Sequence, residues 1–495
     1  MPNYNLNNLP FDNKFAGLPA YFFTKMSAEK FSRQPFLIHA NFDAATMLNL
    51  DHSSLNNKEC LQFFTGHSKL PGSDPLAMVY AGHQFGHYVP QLGDGRALLL
   101  GQVRNDLGKL IDIQLKGSGK TPYSRFGDGR AVMRSSIREY LCSEAMHALG
   151  VPTTRALFLI ATNEEVQREK LEPGCILTRL SDASHIRFGH FEYFYNNGLD
   201  EAVKVLADHV ISEYYPHLID KPNKYSMWFS EVVKRTAILI AKWQSVGYAH
   251  GVMNTDNMSI TGLTIDYGPF GFMEHYDEGL ICNHSDTSGR YAFNQQPYIG
   301  AWNLYMLAHS LQDLISFKEA EEIIKSYAIE LLNQYNEMML QKLGFNNKNL
   351  ETISTSKILL TELLEIMQEA SADYTLAFRY LSEVDKAYEN SNWLNLFGNS
   401  DKANIWLKSY LEHLKSFESN AAVRKEQMNQ INPKFILRNW IAEEAIRAAE
   451  DKKDYTIINT ILKIMHNPFD EHKEYEYYAS TAPKHLQNLS ISCSS

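Results

Sequence analysis

Three oxygen-bearing side chains fall within one short stretch, residues 249–271, and could bind a metal ion together with phosphates. Asp256 and Asn257 are adjacent, and Asp266 follows nine residues after Asn257 as the first residue of Asp-Tyr-Gly. Carboxylate and amide oxygens are hard ligands that suit Mg²⁺ or Mn²⁺. We therefore expect Asn257 and Asp266 to bind the metal, while Asp256 is a carboxylate that could accept a proton.

The same stretch follows the catalytic-loop pattern of protein kinases, with one replacement. In kinases a His-led loop ends in a metal-binding Asn, and Asp-Phe-Gly supplies a second ligand. His250 takes the place of the loop's His, but Val252 occupies the position of the catalytic base. Because valine cannot accept a proton, the pattern predicts phosphoryl chemistry other than ordinary kinase transfer. An Asx turn is the simpler interpretation of Asp256-Asn257, and the neighbouring motifs argue against it.

A glycine turn upstream could approach phosphates. Gly93, Gly95 and Arg96 open an apolar run, 97–103, that predicts a strand. Glycines allow backbone N–H groups to come close to a phosphate, and the arginine adds charge. A plain hairpin turn has the same composition, so this interpretation depends on the other motifs.

A lysine at the end of the next predicted strand, 109–116, could bind nucleotide phosphates. The order of glycine turn, strand, strand and Lys116 is the order of a kinase N-lobe. Such a lysine needs an acidic partner on the following helix, which is predicted over residues 131–149. Glu139 and Glu144 are the candidates, and helical periodicity leaves the choice between them open.

More cations lie between and after these elements. The connection 119–130 is rich in glycine and cations, although its GSGK lacks the spacing of a P-loop. Arg179 and Arg187 follow, and guanidinium groups suit phosphate oxygens, although either arginine could form a surface ion pair.

The chain is predicted to be α+β, with strands early and long helices late. A helix over 227–246 leads into His250, and a short strand over 259–265 leads to Asp266. This order fits a two-lobed, kinase-like fold with a helical C-terminal extension. The expected divisions are an irregular N-terminal segment, an N-lobe-like nucleotide-binding region, a C-lobe-like catalytic region and a helical extension with a redox-capable tail: 1–75, 76–160, 161–320 and 321–495.

Composition excludes several classes of function. The net charge is −10, from 47 Lys plus Arg against 57 Asp plus Glu, so a general nucleic-acid or anionic-membrane surface is not expected. No signal, transit or membrane-spanning pattern is visible. The five cysteines are too widely spaced for a disulfide framework or a zinc site. A cytoplasmic protein that binds neither nucleic acid nor membrane is expected.

Longer motifs make the chain recognisable. Five motifs stand out: LGDGRALLLGQ, QLKGSGKTPYSRFGDGRAVMRSSIREYL, SHIRFGHFE, HGVMNTDNMSITGLTIDYGPFGF and CNHSDTSGRYAFNQQP. These motifs, over about residues 80–300, closely resemble the selenoprotein O family, and NPKFILRNW and the SCSS tail extend the match almost end to end.

The resemblance implies a protein adenylyltransferase of kinase-like fold. ATP would bind inverted relative to kinases, and AMP would pass to Ser, Thr or Tyr hydroxyls of proteins; uridylylation with UTP, favoured by Mn²⁺, is also attributed to the family. Asp256 would accept the hydroxyl proton, and Glu139 would pair with Lys116. Asn257 and Asp266 would bind the metal. The residues implied for nucleotide binding are Gly93, Gly95, Arg96, Lys116, Asp128, Gly129, Arg179 and Arg187.

The chain departs from the family between two of these arginines. Family members have one residue fewer between them than the seven present here, 180–186. Inversion of the nucleotide is chemically coherent, because attack at the α-phosphorus requires cations around the departing pyrophosphate. Lys116, Arg179 and Arg187 could supply them.

The resemblance also concerns two cysteines. Many family members carry selenocysteine, or cysteine in its place, third from the C-terminus, which is Cys493 here. Cys282 lies just beyond Asp-Tyr-Gly, and a reversible Cys282–Cys493 disulfide could gate the site, with a thiol-reducing protein as partner. Two unrelated thiols are the alternative.

Two other functions compete with nucleotidyl transfer. A true kinase is disfavoured because Val252 replaces the base. A nucleotide-binding scaffold without catalysis would not need to keep Lys116, Asn257, Asp266 and a candidate base together.

Overall fold

The computed structural model describes residues 4–56, 58–345, 350–384, 391–417, 420–486, 489 and 491. Its strands are β1 Phe23–Lys25, β2 Phe36–Ala40, β3 Leu76–Met78, β4 Gly82–Gln84, β5 His87–Val89, β6 Ala97–Arg104, β7 Leu110–Lys116, β8 Ala131–Val132, β9 Arg155–Gln167, β10 Leu171–Ser181, β11 Tyr248–Ala249 and β12 Gly271–Phe272. Its helices are α1 Phe42–Ala45, α2 Lys58–Phe64, α3 Met133–Ala148, α4 Phe188–Asn196, α5 Asp200–Tyr214, α6 Lys224–Ser245, α7 Gln296–Ser310, α8 Phe317–Lys342, α9 Leu350–Ala370, α10 Tyr374–Leu381, α11 Asn392–Leu396, α12 Asp401–Leu414, α13 Ala421–Asn429, α14 Asn439–Lys452 and α15 Thr456–His466.

The fold is mixed α and β and is built on one antiparallel sheet. The strand order is β1-β3-β6-β7-β10-β9-β2, with β8 beside β10. The predicted strands 97–103 and 109–116 are confirmed as β6 and β7, which pair so that Ala97 lies opposite Lys116. The predicted boundary after residue 160 falls inside β9, and its partner β10 continues the sheet to Ser181. The strand-rich unit is therefore longer than expected.

Alternation along β7 decides what lies on each face of the sheet. Ile111, Ile113 and Leu115 are buried in a cluster with apolar side chains of the N-terminal segment. Because successive side chains point to opposite faces, Gln114 and Lys116 face the other way. Helix α3 packs there, against β9 and β10.

The N-terminal segment is less irregular than predicted. Within it, β1 and β2 form the two ends of the sheet, and α1 and α2 add short helical turns. Their partners are β3 and β9, far along the chain, so local periodicity carries little sign of them.

The helices around the 249–271 stretch occur where they were predicted, but the strand does not. Helix α3 begins two residues later than expected because residues 131–132 pair as β8, and α6 runs from Lys224 rather than 227. The predicted strand 259–265 is absent. Isolated bridges from Ser259 to Arg187 and from Thr264 to Thr153 stand in its place.

The predicted change to long helices after residue 301 is confirmed by α8 to α15. Helices α8 to α13 contribute to a second hydrophobic cluster, which also includes Ala249 of β11, whereas α14 and α15 pack on α3. Across the described ranges, each helix is either too short or too polar to cross a bilayer.

Candidate active site

A cleft of about 600 Å³ gathers the residues that the sequence singled out. It lies between the polar face of the sheet and the loop that runs from β11 to β12. The predicted residues that line it are Gly93, Gly95, Arg96, Lys116, Asp128, Gly129, Arg179, Arg187, Asp256, Asn257 and Asp266.

The wall formed by the sheet carries a buried ladder of charges. Lys116 on β7 pairs with Glu139 on α3, and Arg179 on β10 donates to the same carboxylate. The strand register sets Arg179 opposite Gln114, which places Arg179 and Lys116 on one face. Burial lowers the pKa of the Lys116 ammonium, while Glu139 opposes that shift.

Glu144, the other candidate partner of Lys116, is used elsewhere. Its carboxylate receives two hydrogen bonds from the Arg155 guanidinium, at 2.9 and 2.7 Å, and one from the Ala156 backbone N–H at 3.1 Å. Glu139 and Glu144 are both fully buried, and helical periodicity cannot separate two buried faces of one helix.

Asp266 lies where the sheet wall meets the loop wall. Its backbone is left-handed, with φ of 56°, which is rare for a residue other than glycine and often marks a functional site. Arg179 and Arg187 both donate to its carboxylate. Burial alone would raise the pKa of Asp266, but these arginines and Lys116 hold it well below the usual range. The longer connection between the arginines therefore does not prevent their meeting.

Arg187 ties the two acidic residues together. One guanidinium nitrogen donates both to the Asp266 carboxylate and to the main-chain oxygen of Asp256, the latter at 2.7 Å. Its guanidinium also lies 4.9 Å from the ring centroid of Tyr80. The position of Asp256 relative to Asp266 is thus fixed by one side chain.

Asp256 has the properties of a general base. It is 8% exposed, and Oδ1 has no hydrogen-bond partner among the described residues. Oδ2 accepts a hydrogen bond from Gln84 at 3.3 Å. Burial raises the pKa of Asp256 to about 7, against the opposing charge of Arg187. A buried carboxylate with a pKa near neutrality and an oxygen that lacks a hydrogen-bond partner is suited to accept a proton.

The donor set fits a hard divalent cation shared with phosphates. Asn257 donates through Nδ2 to Val252 O at 3.0 Å, so its Oδ1 is the atom left for a metal. The described residues hold no group of three or more His, Cys, Asp or Glu side chains that could bind a metal alone. Mg²⁺ characteristically takes one or two protein oxygens and completes its shell with phosphates and water.

His250, the kinase-like histidine, has a structural role. It is buried, and its Nε2 lies 3.0 Å from Ile265 O, which joins the start of the loop to the residue before Asp266. The neighbouring Gly251 has φ of 77°, and a Cβ there would lie 2.0 Å from Pro269 O.

The connection 119–130 folds over the glycine turn. Thr121 donates to Asp94 O at 2.7 Å, and the Tyr123 ring packs so closely on Gly93 that a Cβ there would lie 2.6 Å away. Asp128 accepts two hydrogen bonds from Arg168, at 2.8 and 3.1 Å. Arg168 also lines the cleft, but it lies in the β9–β10 turn, where no motif indicated a role.

Sequence reasoning also missed the residues that hold the turn at Thr255 and Asp256. Thr255 donates to Glu192 on α4 at 2.7 Å and accepts from the His83 backbone N–H at 2.7 Å. Gln84, on the β4–β5 hairpin, reaches Asp256 itself. The motif GHQFGH was the one available signal, since it places polar residues on both sides of a glycine turn.

The structure describes one of the two cysteines, Cys282. Cys282 is half-buried, with Sγ 3.1 Å from Pro269 O, and it does not line the cleft. Cys493 lies outside the described residues. Ile491, two positions before it, accepts a hydrogen bond from the His284 backbone N–H at 2.8 Å, so Ile491 lies beside a residue two positions after Cys282.

Comparison with known proteins identifies the family of the chain. The profile of the family described as protein adenylyltransferase SelO matches residues 5–466. Proteins named protein nucleotidyltransferase YdiU from Aliivibrio salmonicida, Myxococcus xanthus and Photobacterium profundum are 45%, 46% and 46% identical, and each alignment covers 99% of both chains. A match of this extent includes every element that lines the cleft. The chain belongs to the SelO protein adenylyltransferase family.

Proposed function

We propose that the protein transfers a nucleoside monophosphate, AMP from ATP, to hydroxyl groups of proteins. The observation that carries this proposal is the position of Asp256, a buried carboxylate with one oxygen that lacks a hydrogen-bond partner among the described residues, in a cleft whose opposite wall is cationic. Membership of an adenylyltransferase family supports the same reaction.

The cations of the sheet wall suit the leaving group. In nucleotidyl transfer the acceptor oxygen forms a bond to the α-phosphorus, the bond to the β-phosphate oxygen breaks, and pyrophosphate departs. Asp256 takes the hydroxyl proton. Lys116, Arg179 and Arg187 stabilise the charge that develops on pyrophosphate. Arg96 is exposed at the cleft and adds a further cation, while the 119–130 connection closes over the glycine turn.

Asn257 and Asp266 would hold Mg²⁺ or Mn²⁺. When bound, such an ion neutralises phosphate charge and polarises the phosphorus that is attacked. Arg187 keeps the Asp266 carboxylate and the Asp256 backbone in a fixed relation, which confines the base and the metal ligands to one side of the nucleotide.

We further propose that the molecule has the two-lobed arrangement of kinases with an inverted nucleotide. The sheet with α3, extending to Ser181, would form the N-lobe, and the following region to about residue 320 would form the C-lobe. Residues 321–495 would be the helical extension. The ion pair between Lys116 and Glu139 across sheet and helix supports this arrangement.

UTP is a second candidate donor. The relatives are named nucleotidyltransferases, and their name does not state which nucleobase they use. The cleft residues described above suit phosphates and a metal ion, and none of them was assigned to a nucleobase. Competition between labelled ATP and UTP, with Mg²⁺ and then Mn²⁺, measures the preference directly.

The decisive experiment compares α-labelled with γ-labelled ATP. The purified protein and a mixed protein substrate are expected to become labelled from α-labelled ATP only. Label from γ-labelled ATP would instead identify a kinase, and label from neither would identify a scaffold. Asp266→Ala is expected to abolish transfer, and Asp182→Ala, an exposed aspartate paired with Lys109, serves as the matched control.

We also propose that Cys282 and Cys493 form a reversible disulfide that a thiol-reducing protein opens. The contact between His284 and Ile491 supports it, because Ile491 is two residues before Cys493 and His284 is two residues after Cys282. Activity that depends on oxidation in the wild type and not in Cys493→Ser is the expected result. Equal activity of both proteins under oxidising and reducing conditions would remove the idea.

A further inference from the structure

Arg290 lies beside the base-bearing loop but outside the nucleotide cleft. Its guanidinium carbon is 4.7 Å from the ring centroid of Trp302 and 5.7 Å from that of Tyr291. It also packs on the tip of the β4–β5 hairpin, where a Cβ on Gly86 would lie 3.3 Å from it. The arginine is therefore held by aromatic rings and backbone.

The Asp286 carboxylate, four residues before Arg290, is occupied by backbone hydrogen bonds. Asp286 accepts hydrogen bonds from the backbone N–H groups of Arg290, at 3.0 Å, and of Tyr291, at 2.7 Å. Within the described ranges no carboxylate forms an ion pair with the Arg290 guanidinium, and its Nε is buried without a hydrogen-bond partner. The Arg290 side chain also hydrogen-bonds the Tyr291 hydroxyl, and the N–H donors that remain on its terminal nitrogens suit an incoming anion.

The surroundings of Arg290 are rigidly joined to the proposed base. The Tyr291 hydroxyl donates to Asn254 at 2.6 Å and accepts from the Phe85 backbone N–H at 2.9 Å. Phe85 is 36% exposed, its ring packs on Tyr291, and it lines the same cleft as Asp256. An acceptor hydroxyl at Asp256 would thus bring neighbouring residues of its own chain to Phe85 and Arg290.

We infer that Arg290 recognises a carboxylate side chain that flanks the acceptor hydroxyl in the protein substrate. The inference rests on the proposed function, because it takes Asp256 as the point where the hydroxyl binds. A nucleotide phosphate would offer the same chemistry, but Arg290 does not line the cleft, whereas Lys116, Arg179 and Arg187 do. The acceptor preference is therefore for serine, threonine or tyrosine next to Asp or Glu.

The test uses peptides that differ by a single charge. Each carries one serine and either Asp or Asn at one flanking position, and transfer from α-labelled ATP is measured as kcat/KM. The wild type is expected to show a kcat/KM about 10-fold higher for the Asp peptide than for the Asn peptide at one position, because one charge-assisted hydrogen bond contributes a free energy of about that size. Arg290→Gln is expected to lose that preference, while its KM for ATP stays unchanged. A third peptide carries Lys at the same position, and Arg290→Glu is expected to favour it.

Controls separate recognition from folding and from phosphate binding. Arg290→Lys keeps the charge and is expected to retain part of the preference. Arg235→Gln removes another ring-stacked arginine, 4.0 Å from the Tyr215 centroid, and is expected to change nothing. Equal use of Asp and Asn peptides by the wild type at every position overturns the inference, and so does a raised KM for ATP in Arg290→Gln with peptide preference intact.

A binding measurement distinguishes this inference from the proposed function. The same peptides, fluorescently labelled, are titrated into protein loaded with a non-hydrolysable ATP analogue. Selective binding of Asp peptides that depends on Arg290, with no transfer from ATP, would contradict nucleotidyl transfer and support recognition of a carboxylate by Arg290. Transfer that shows no preference for Asp, together with unselective binding, would overturn the role of Arg290 alone.

Discussion

Arg187 donates a hydrogen bond to the main-chain oxygen of Asp256 over 2.7 Å. The same nitrogen contacts the Asp266 carboxylate, so one guanidinium fixes the proposed base against a proposed metal ligand. A lysine ammonium is a compact charge at the end of a shorter side chain, and it lacks the planar guanidinium that holds this nitrogen between the two acceptors. Arg187→Lys is therefore expected to lower kcat about 100-fold through a small misplacement of Asp256. Steady-state transfer from α-labelled ATP measures this effect.

Arg104→Lys is the control for that substitution. Arg104 joins Asp12 and Glu213 at the surface, away from the cleft, and its replacement should leave kcat unchanged. A wild-type kcat in Arg187→Lys would show that the bridge between Asp256 and Asp266 is not needed.

Two glutamates five positions apart on α3 are expected to behave differently. Both are buried, but Glu139 joins Lys116 to Arg179 at the cleft, whereas Glu144 binds Arg155 on the far side. Each Gln substitution removes the carboxylate that pairs with a buried cation. Because this leaves an uncompensated buried charge, the unfolding free energy is expected to fall by about 3–5 kcal/mol. Only Glu139→Gln is expected to reduce transfer by the molecules that remain folded. Urea unfolding combined with active-site titration separates the two effects, and equal specific activity of the two variants would contradict the assignment.

Stability should depend on pH through Glu144. Burial would raise the pKa of this carboxyl, but the hydrogen bonds from His466 and Arg155 outweigh it and lower the pKa to about 2. A folded-state pKa below the unfolded one stabilises the fold above the unfolded pKa, and this contribution is lost as pH falls toward 2. Of about 3 kcal/mol at neutral pH, about 1 kcal/mol should be lost by about pH 3.5.

Other carboxylates titrate in the same range, so the measured quantity is a difference. The gap in unfolding free energy between wild type and Glu144→Gln should narrow as pH falls from about 6 to about 3.5. A gap that is constant over this range would mean that the Glu144 pKa is not depressed in the folded protein.

The parts of the site that sequence could predict are those carried by local patterns. Alternation along β7 indicated both the strand and the polar face that bears Lys116, and the spacing of Asn257 and Asp266 indicated two residues that line one cleft. What escaped prediction depends on contacts between distant segments. The β9–β10 hairpin that carries Arg179 and Arg168 has no local signal that fixes its partner strands, and Gln84 reaches Asp256 across 172 positions.

The absent strand 259–265 and the choice between the glutamates of α3 have related causes. Ser259 and Thr264 lie in isolated bridges opposite different neighbours, Arg187 and Thr153, so that segment is held from both sides without regular pairing. For the glutamates, the sheet packs on one side of α3 and helices α14 and α15 on another, which buries acidic residues on both faces. Periodicity indicates a face only when the opposite face meets water.

The glycine turn at the cleft can be tested by comparing Gly93 with Gly108, a glycine in another turn. Gly93 and Gly108 both have positive φ, 81° and 75°, but their surroundings differ. A Cβ at Gly93 would lie 2.6 Å from the Tyr123 ring and 3.0 Å from Met78 O, whereas a Cβ at Gly108 meets nothing within 4 Å. Alanine at either position should cost about 1 kcal/mol of unfolding free energy for the backbone conformation.

Gly93→Ala should cost more, because Tyr123 must move and with it the 119–130 connection that closes over the turn. We expect KM for ATP to rise about 10-fold in Gly93→Ala, from the loss of one well-placed backbone contact to phosphate, and to stay unchanged in Gly108→Ala. Nucleotide binding followed by isothermal titration calorimetry reads the contact without requiring transfer. Equal affinity in the two variants would show that the turn acts as a plain hairpin and that the phosphates are bound by the cations alone.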